Sequence, residues 1–370
     1  STDGGPHKLG AGVAIVSRRA CKKDLEIILG ESLPRKVPVI IGSAGGSGAR
    51  PHVEWTLDII EEILRERNLR AKLAIIHADF APDQVLDALR QGKIVPLTPN
   101  IPPLTEEAVR QTRNIVGQMG HEPILKALEA GSDIIVCGRA YDPSPFAAVG
   151  IFHGKDPGLS YHLGKILECG ALCADPGTTK DGILGTIGDD HFTVQALNDC
   201  RTRTPLSVAA HTFYEKEHPY LLNGPGFTLD LENCRFAEDR PGVVRVSGSR
   251  YIPQGRTFIK LEGARLTAYR TFVIAGIRDP ILLERLADVE NAVIAQTKQY
   301  YPEIDDGDYQ IRFYNYGMNA VLGEREYEPF RGHEVGVLFE VVAKTQELAS
   351  SICATVRSTF LHYGYDGRKS

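Results

Sequence analysis

The stretch that constrains this chain most is residues 37–66. Val37-Pro38-Val39-Ile40-Ile41 is a short apolar run rich in β-branched residues, the pattern of a strand covered on both faces. It runs into Gly42-Ser43-Ala44-Gly45-Gly46-Ser47-Gly48-Ala49-Arg50, with four glycines between positions 42 and 48. Pro51 suits a first helical position, because its φ is preset and its missing N–H would have no partner there. Val53, Leu57, Ile60, Ile63 and Leu64 then recur at helical spacing, so one face of a helix packs on the sheet. Strand, glycine loop and helix start, in that order, place backbone N–H groups where phosphates and carboxylates bind. The loop has neither the Lys-Ser/Thr of a P-loop nor the G-x-G-x-x-G spacing, so neither nucleotide reading is supported. Gly45, Gly46, Gly48 and Arg50 are the candidate ligand contacts. The alternative is a loop whose glycines serve only a tight turn.

Two further buried strands follow the same logic. Residues 71–77 end in His77-Ala78-Asp79-Phe80, and residues 133–137 end in Gly138-Arg139-Ala140-Tyr141-Asp142. Polar groups at the carboxyl ends of parallel strands stand where α/β sheets keep their ligands. His77, Asp79 and Asp142 are the candidates for proton transfer, and Arg139 for a bidentate grip on a carboxylate. Against these stand an Asp79 that caps or orients a turn and an Arg139–Asp142 pair that only braces its loop. Around the strands the pattern predicts helices over 11–29, 82–91, from near Thr105 and over 122–131, with a strand at 94–97. The three main strands are expected to share one doubly wound, mostly parallel sheet built from right-handed crossovers.

The helical stretch 159–173 puts His162, Ile166, Cys169 and Cys173 on one stripe, while Glu168 points away from it. Ligands on a single line cannot surround an ion unaided, and buried cysteines behave as small apolar residues, so no metal is expected. From residue 181 the texture changes to short β-like runs, giving a mixed β segment over 181–270. Residues 271–370 read as strand, helix, strand, strand, helix, an incomplete ferredoxin-like α+β domain that lacks its sixth element. The expected organisation is therefore an α/β domain over 1–180, the connecting β segment, and this last domain.

A net charge of −5 over 370 residues gives no electrostatic reason to expect nucleic acid or an anionic membrane. No run of about 18 apolar residues is present, and the seven scattered cysteines do not form a secreted disulfide framework. A cytoplasmic protein is expected.

Together, Ser1-Thr2-Asp3-Gly4-Gly5-Pro6, the loop Gly42 to Gly48, Ser132 to Asp142 centred on Gly138-Arg139, and His162 to Gly170 with Glu168-Cys169-Gly170 resemble the acyclic terpene utilisation protein A family of bacteria and fungi. The resemblance implies a cytosolic catabolic protein of carboxylate or CoA-ester metabolism, paired with a small companion protein or fused to an equivalent module. It also implies a strand ahead of Ser1 and a segment beyond the last helix, which leaves room for site residues outside residues 1–370. A homo-oligomer is expected.

The reading that joins these observations is an enzyme acting on a small organic acid or acyl-CoA ester by lyase, hydratase or isomerase chemistry, without a redox cofactor. Such reactions need an anion grip and an acid–base pair. The competing readings are a non-catalytic subunit that binds an acyl ligand or a partner, and a metal-dependent hydrolase built on the His162 stripe.

Overall fold

Alternation decides the first sheet. In β4 (Ile134–Cys137) all four side chains are buried, Ile134 and Val136 on one face, Ile135 and Cys137 on the other. A strand buried on both faces belongs at the centre of a covered sheet. In the computed structural model, which describes residues 6–178, 181–214 and 217–368, it lies between β1 (Val39–Ile41) and β2 (Leu73–Ile76), parallel to both. The expected sharing of one parallel sheet is therefore observed. Beneath one face lie α2 (Arg18–Ser32) and α3 (Arg50–Glu66), which contribute Leu25, Leu29, Val53, Ile59, Ile60 and Ile63. On the other face α6 (Glu122–Glu129) and α7 (Ser144–Phe152) contribute Ile124, Leu128 and Ala148.

The chain divides into two compact units, residues 1–265 and 266–370. In the first, α1 (Pro6–Ala11) and α2 are separate helices where one segment over 11–29 was expected. Ser17 starts α2 by accepting the Ala20 N–H at 3.2 Å. After α4 (Pro82–Arg90), the expected strand at 94–97 is absent: Pro96 removes a ladder donor, and the segment runs as coil. The helix expected from Thr105 is the short α5 (Glu106–Gln111), and it gives way at once to β3 (Thr112–Gly117). This strand was missed because its partner, β12 (Leu261–Arg265), arrives nearly 150 positions later to form an antiparallel pair.

Beyond α8 (Pro157–Leu167), the mixed β segment resolves into antiparallel sheets. Its strands are β5 (Ile183–Ile187), β6 (His191–Ala196), β7 (Leu221–Gly224), β8 (Phe227–Asp230), β9 (Arg235–Arg240), β10 (Val243–Ser247) and β11 (Arg250–Pro253). One sheet runs β5-β6-β10-β9 and a second β11-β8-β7. Between β6 and β7 stands α9 (Pro205–Phe213), a helix inside what reads as β texture, begun by a reciprocal cap between Thr204 and Ser207.

The second unit contains β13 (Tyr269–Ile277), α10 (Pro280–Glu284), α11 (Leu286–Tyr300), β14 (Tyr309–Tyr316), β15 (Val335–Ala343) and α12 (Gln346–His362). Its antiparallel sheet runs β13-β15-β14. Period two on β15 turns Val335, Val337, Phe339, Val341 and Ala343 to one face, where they meet Val289 and Val293 of α11 and Ile352 and Val356 of α12. No helix among the described residues is long and apolar enough to cross a membrane.

Candidate functional site

The loop after β1 and the loop after β4 form one backbone junction. Ser43 N–H donates to Gly138 O at 3.2 Å and Arg139 N–H to Gly48 O at 3.1 Å. At Gly48 φ is +67°, and a Cβ there would collide with the Arg139 backbone nitrogen. A Cβ on Gly138 would stand 2.7 Å from Ala78 N. Close approach of main chains thus explains both glycines.

Two of the donors expected to cradle an anion, those of Gly46 and Gly48, are engaged within the protein. Gly46 N–H and Gly48 N–H turn back to the carbonyls of Ser43 and Ala44, at 2.8 and 3.0 Å, and the Gly45 carbonyl accepts from Ile15 N–H at 3.1 Å. Ala49, at the N-cap of α3, has no side chain to cap with. Asp79 supplies the missing acceptor from the loop after β2, its Oδ1 taking the Arg50 N–H at 2.8 Å. The Arg50 side chain is exposed.

Arg139 has a partner set that local spacing could not reveal. It is only 3% exposed. Its Nε and Nη2 donate to Glu262 Oε2 and Oε1 at 2.9 and 3.1 Å, a two-pronged grip on a carboxylate from β12. Nη1 reaches Asp142 Oδ1 at 2.8 Å, Ser43 Oγ at 3.0 Å and Ala140 O at 2.6 Å. Gln118, just past β3, donates to Glu262 Oε1 at 2.8 Å. Lys260 Nζ stands 3.4 Å from the same oxygen. Burial acts to raise the Glu262 pKa, but the hydrogen bonds and charge of Arg139, helped by Gln118 and Lys260, hold it below the usual glutamate value. The arginine expected to clamp a ligand is thus committed to bracing.

A cleft of about 1620 Å³ opens beside this junction. Ser43, Gly46, Arg139, Tyr141 and Asp142 line it, but Gly45, Gly48 and Arg50 do not. Much of the remaining wall is apolar: Val95, Leu97 and Ile101 on the coil after α4, Phe146 and Val149 on α7, and Phe258. α8 adds Lys165, ion-paired with Glu168 at the helix end. Each cation on the polar wall therefore has a carboxylate: Arg139 with Asp142 and Glu262, Lys260 with Glu262, Lys165 with Glu168. Lys93 stands apart, on the coil with the apolar residues.

His77 and Asp79 line a different cavity of about 280 Å³, together with Phe80, Met119 and Glu122. The candidate proton-transfer groups are therefore divided, with Asp142 on the large cleft and the other two on the small one. On the α8 stripe, His162 Nδ1 lies 2.7 Å from Ser249 Oγ and Nε2 3.1 Å from Thr212 Oγ1, and Cys173 accepts from Arg203 Nε. Among the described residues no group of three or more His, Cys, Asp or Glu could hold a metal ion.

Glu262, Gln118, Lys165 and Tyr141 were not singled out by sequence reasoning. Glu262 and Gln118 carry no local signal, since their role arises from the β3–β12 register. The apolar neighbours of Lys165 and its i+3 spacing to Glu168 are a weak signal for a buried pair.

Residues 18–181 match the model of the acyclic terpene utilisation family protein AtuA. Over that segment the chain is similar to the AtuA family. The AtuA segment carries the glycine loop, the Arg139 loop and α8, whereas Lys260 and Glu262 lie beyond it. Neither the curated proteins nor the solved structures contain a match to the chain.

Proposed function

We propose that the first unit binds a long apolar acyl substrate, an acyclic terpenoid acid carried as its CoA thioester, and acts on it by lyase, hydratase or isomerase chemistry. The observation that carries this reading is the cleft itself. About 1620 Å³ exceeds what a small organic acid fills, since sites for drug-sized ligands measure roughly 300–1,000 Å³. A lining that joins many apolar side chains to a few polar ones suits a branched hydrocarbon chain with a single functional head. Asp142, whose side chain is 44% exposed and lines the cleft, is the group assigned to move a proton in this reading.

The test is thermal shift with 3,7-dimethyl-2,6-octadienoyl-CoA. At a hundredfold excess over Kd, binding stabilises the fold by about 2.7 kcal/mol. Val149→Arg, which sets a charge on the apolar wall, is expected to abolish the shift without lowering the Tm of the free protein. An unchanged shift in that variant would place the ligand elsewhere.

A second reading has an observation of its own. Because His77 and Asp79 face the smaller cavity, the large cleft is also consistent with a non-catalytic acyl-binding subunit. Product analysis separates the two: turnover that falls at least a hundredfold in Asp142→Asn supports the enzyme, whereas binding with no product in wild type supports the subunit.

A further inference from the structure

Tyr141 lines the cleft beside Asp142. Its ring is fixed, 6.4 Å from the Tyr161 ring centroid and 6.3 Å from that of Phe227. Its backbone is fixed too, by Tyr141 N–H to Met119 O at 3.0 Å and Ser144 N–H to Tyr141 O at 2.7 Å. The residue lines the cleft, and its hydroxyl makes no hydrogen bond to any described residue. A polar tip on an apolar body normally finds a partner when it leaves water. Burial, and then the nearby Glu168 carboxylate, with smaller effects of Tyr161 and Asp142, push its pKa up, so it remains a neutral O–H donor throughout the physiological range.

The surroundings restrict what it can donate to. Among the described residues the cations nearest Tyr141 in sequence or ion-paired with its neighbours are matched by Asp142, Glu168 and Glu262; the cleft's remaining cation, Lys93, belongs to the coil that carries Val95 and Leu97. A free carboxylate brought to Tyr141 would meet the fields of Asp142 and Glu168, and an uncompensated anion is costly to bury. A neutral carbonyl needs one donor and no counter-charge.

Building on the acyl-cleft reading, we propose that Tyr141 is the hydrogen-bond donor to the substrate's acyl carbonyl, and that this cleft selects a neutral acyl ester or thioester over the corresponding free acid. The Tyr141 hydroxyl is then the positioning contact that sets the head group against Asp142, while the apolar wall holds the chain.

Calorimetry on the full chain tests this with two probes of equal chain length, octanoate and S-octanoyl-N-acetylcysteamine. Wild type is expected to bind the thioester at least fivefold more tightly. Tyr141→Phe keeps the ring packing, and it should lose about 3- to 10-fold in thioester affinity, the worth of one neutral hydrogen bond, with octanoate little changed. The infrared C=O band of the bound ¹³C-labelled thioester should move to higher frequency in Tyr141→Phe, a change that altered packing alone would not give. Octanoate binding as tightly as the thioester, or an unmoved band and affinity in Tyr141→Phe, overturns the inference and leaves the cleft reading standing. Binding of neither probe to wild type overturns both.

Discussion

Glu262 in the first unit and Glu290 in the second are buried alike, with 7% and 9% of their surface exposed, yet their surroundings favour opposite charge states. Glu262 is held between Arg139, Gln118 and Lys260, and its pKa is lowered. Glu290, on α11, has no cation beside it among the described residues, and burial, only partly offset by a hydrogen bond from Asn315, raises its pKa to about 7. Glu290 Oε1 and Asn315 Oδ1 are both buried without a partner. Depth alone does not set the state of a buried acid; the counter-ion does.

The two units should therefore answer pH in opposite directions. A depressed folded-state pKa makes the contribution of Glu262 present near neutrality and lost as pH falls through that value. For Glu290 the signs reverse. Its raised pKa gives stability that is complete below the unfolded value of 4.5 and is lost as pH rises through about 7.

The largest effect should come from making Glu262 resemble Glu290. Arg139→Ala strands a buried carboxylate and should cost about 3–5 kcal/mol in urea unfolding of the full chain at pH 7. Adding Glu262→Gln should recover part of that loss, and a fully stable Arg139→Ala would dissolve the contrast. Next comes the converse change. Glu290→Gln should flatten the pH dependence of hydrogen exchange in α11 and α12 and add about 1–2 kcal/mol at pH 8, a value discounted for partial solvent access. A profile parallel to wild type would mean that Glu290 stays ionised. Lys260→Ala should be the mildest. Its ammonium is 44% exposed, and such pairs contribute roughly 0.2–1 kcal/mol; a larger loss would make Lys260 a true third partner of Glu262.

What the sequence made legible follows from range. The parallel strands, the helices of the second unit and the two polar loops after β1 and β4 are written in local periodicity, and each stands within a few residues of its expected place. Arg139 and Asp142 were also found together, because three residues separate them. Glu262 was invisible for the same reason: it is 123 positions from Arg139, and only the pairing of β12 with β3 brings it there. The coil at 94–97 looked like a strand because its residues are apolar. They are apolar because they line the cleft, and a ligand wall and a sheet face draw on the same side chains.

The junction of Gly48 with Gly138 has a consequence for how such a protein changes over generations. Where main chain meets main chain there is no side chain to exchange, so the junction beside the cleft has almost no allowed neighbours in sequence space. The coil lining of the cleft takes its shape from side chains such as Val95, Leu97 and Phe258, each replaceable singly. Point substitutions can therefore reshape the coil lining singly, while the main-chain junction beside the cleft is inherited unaltered.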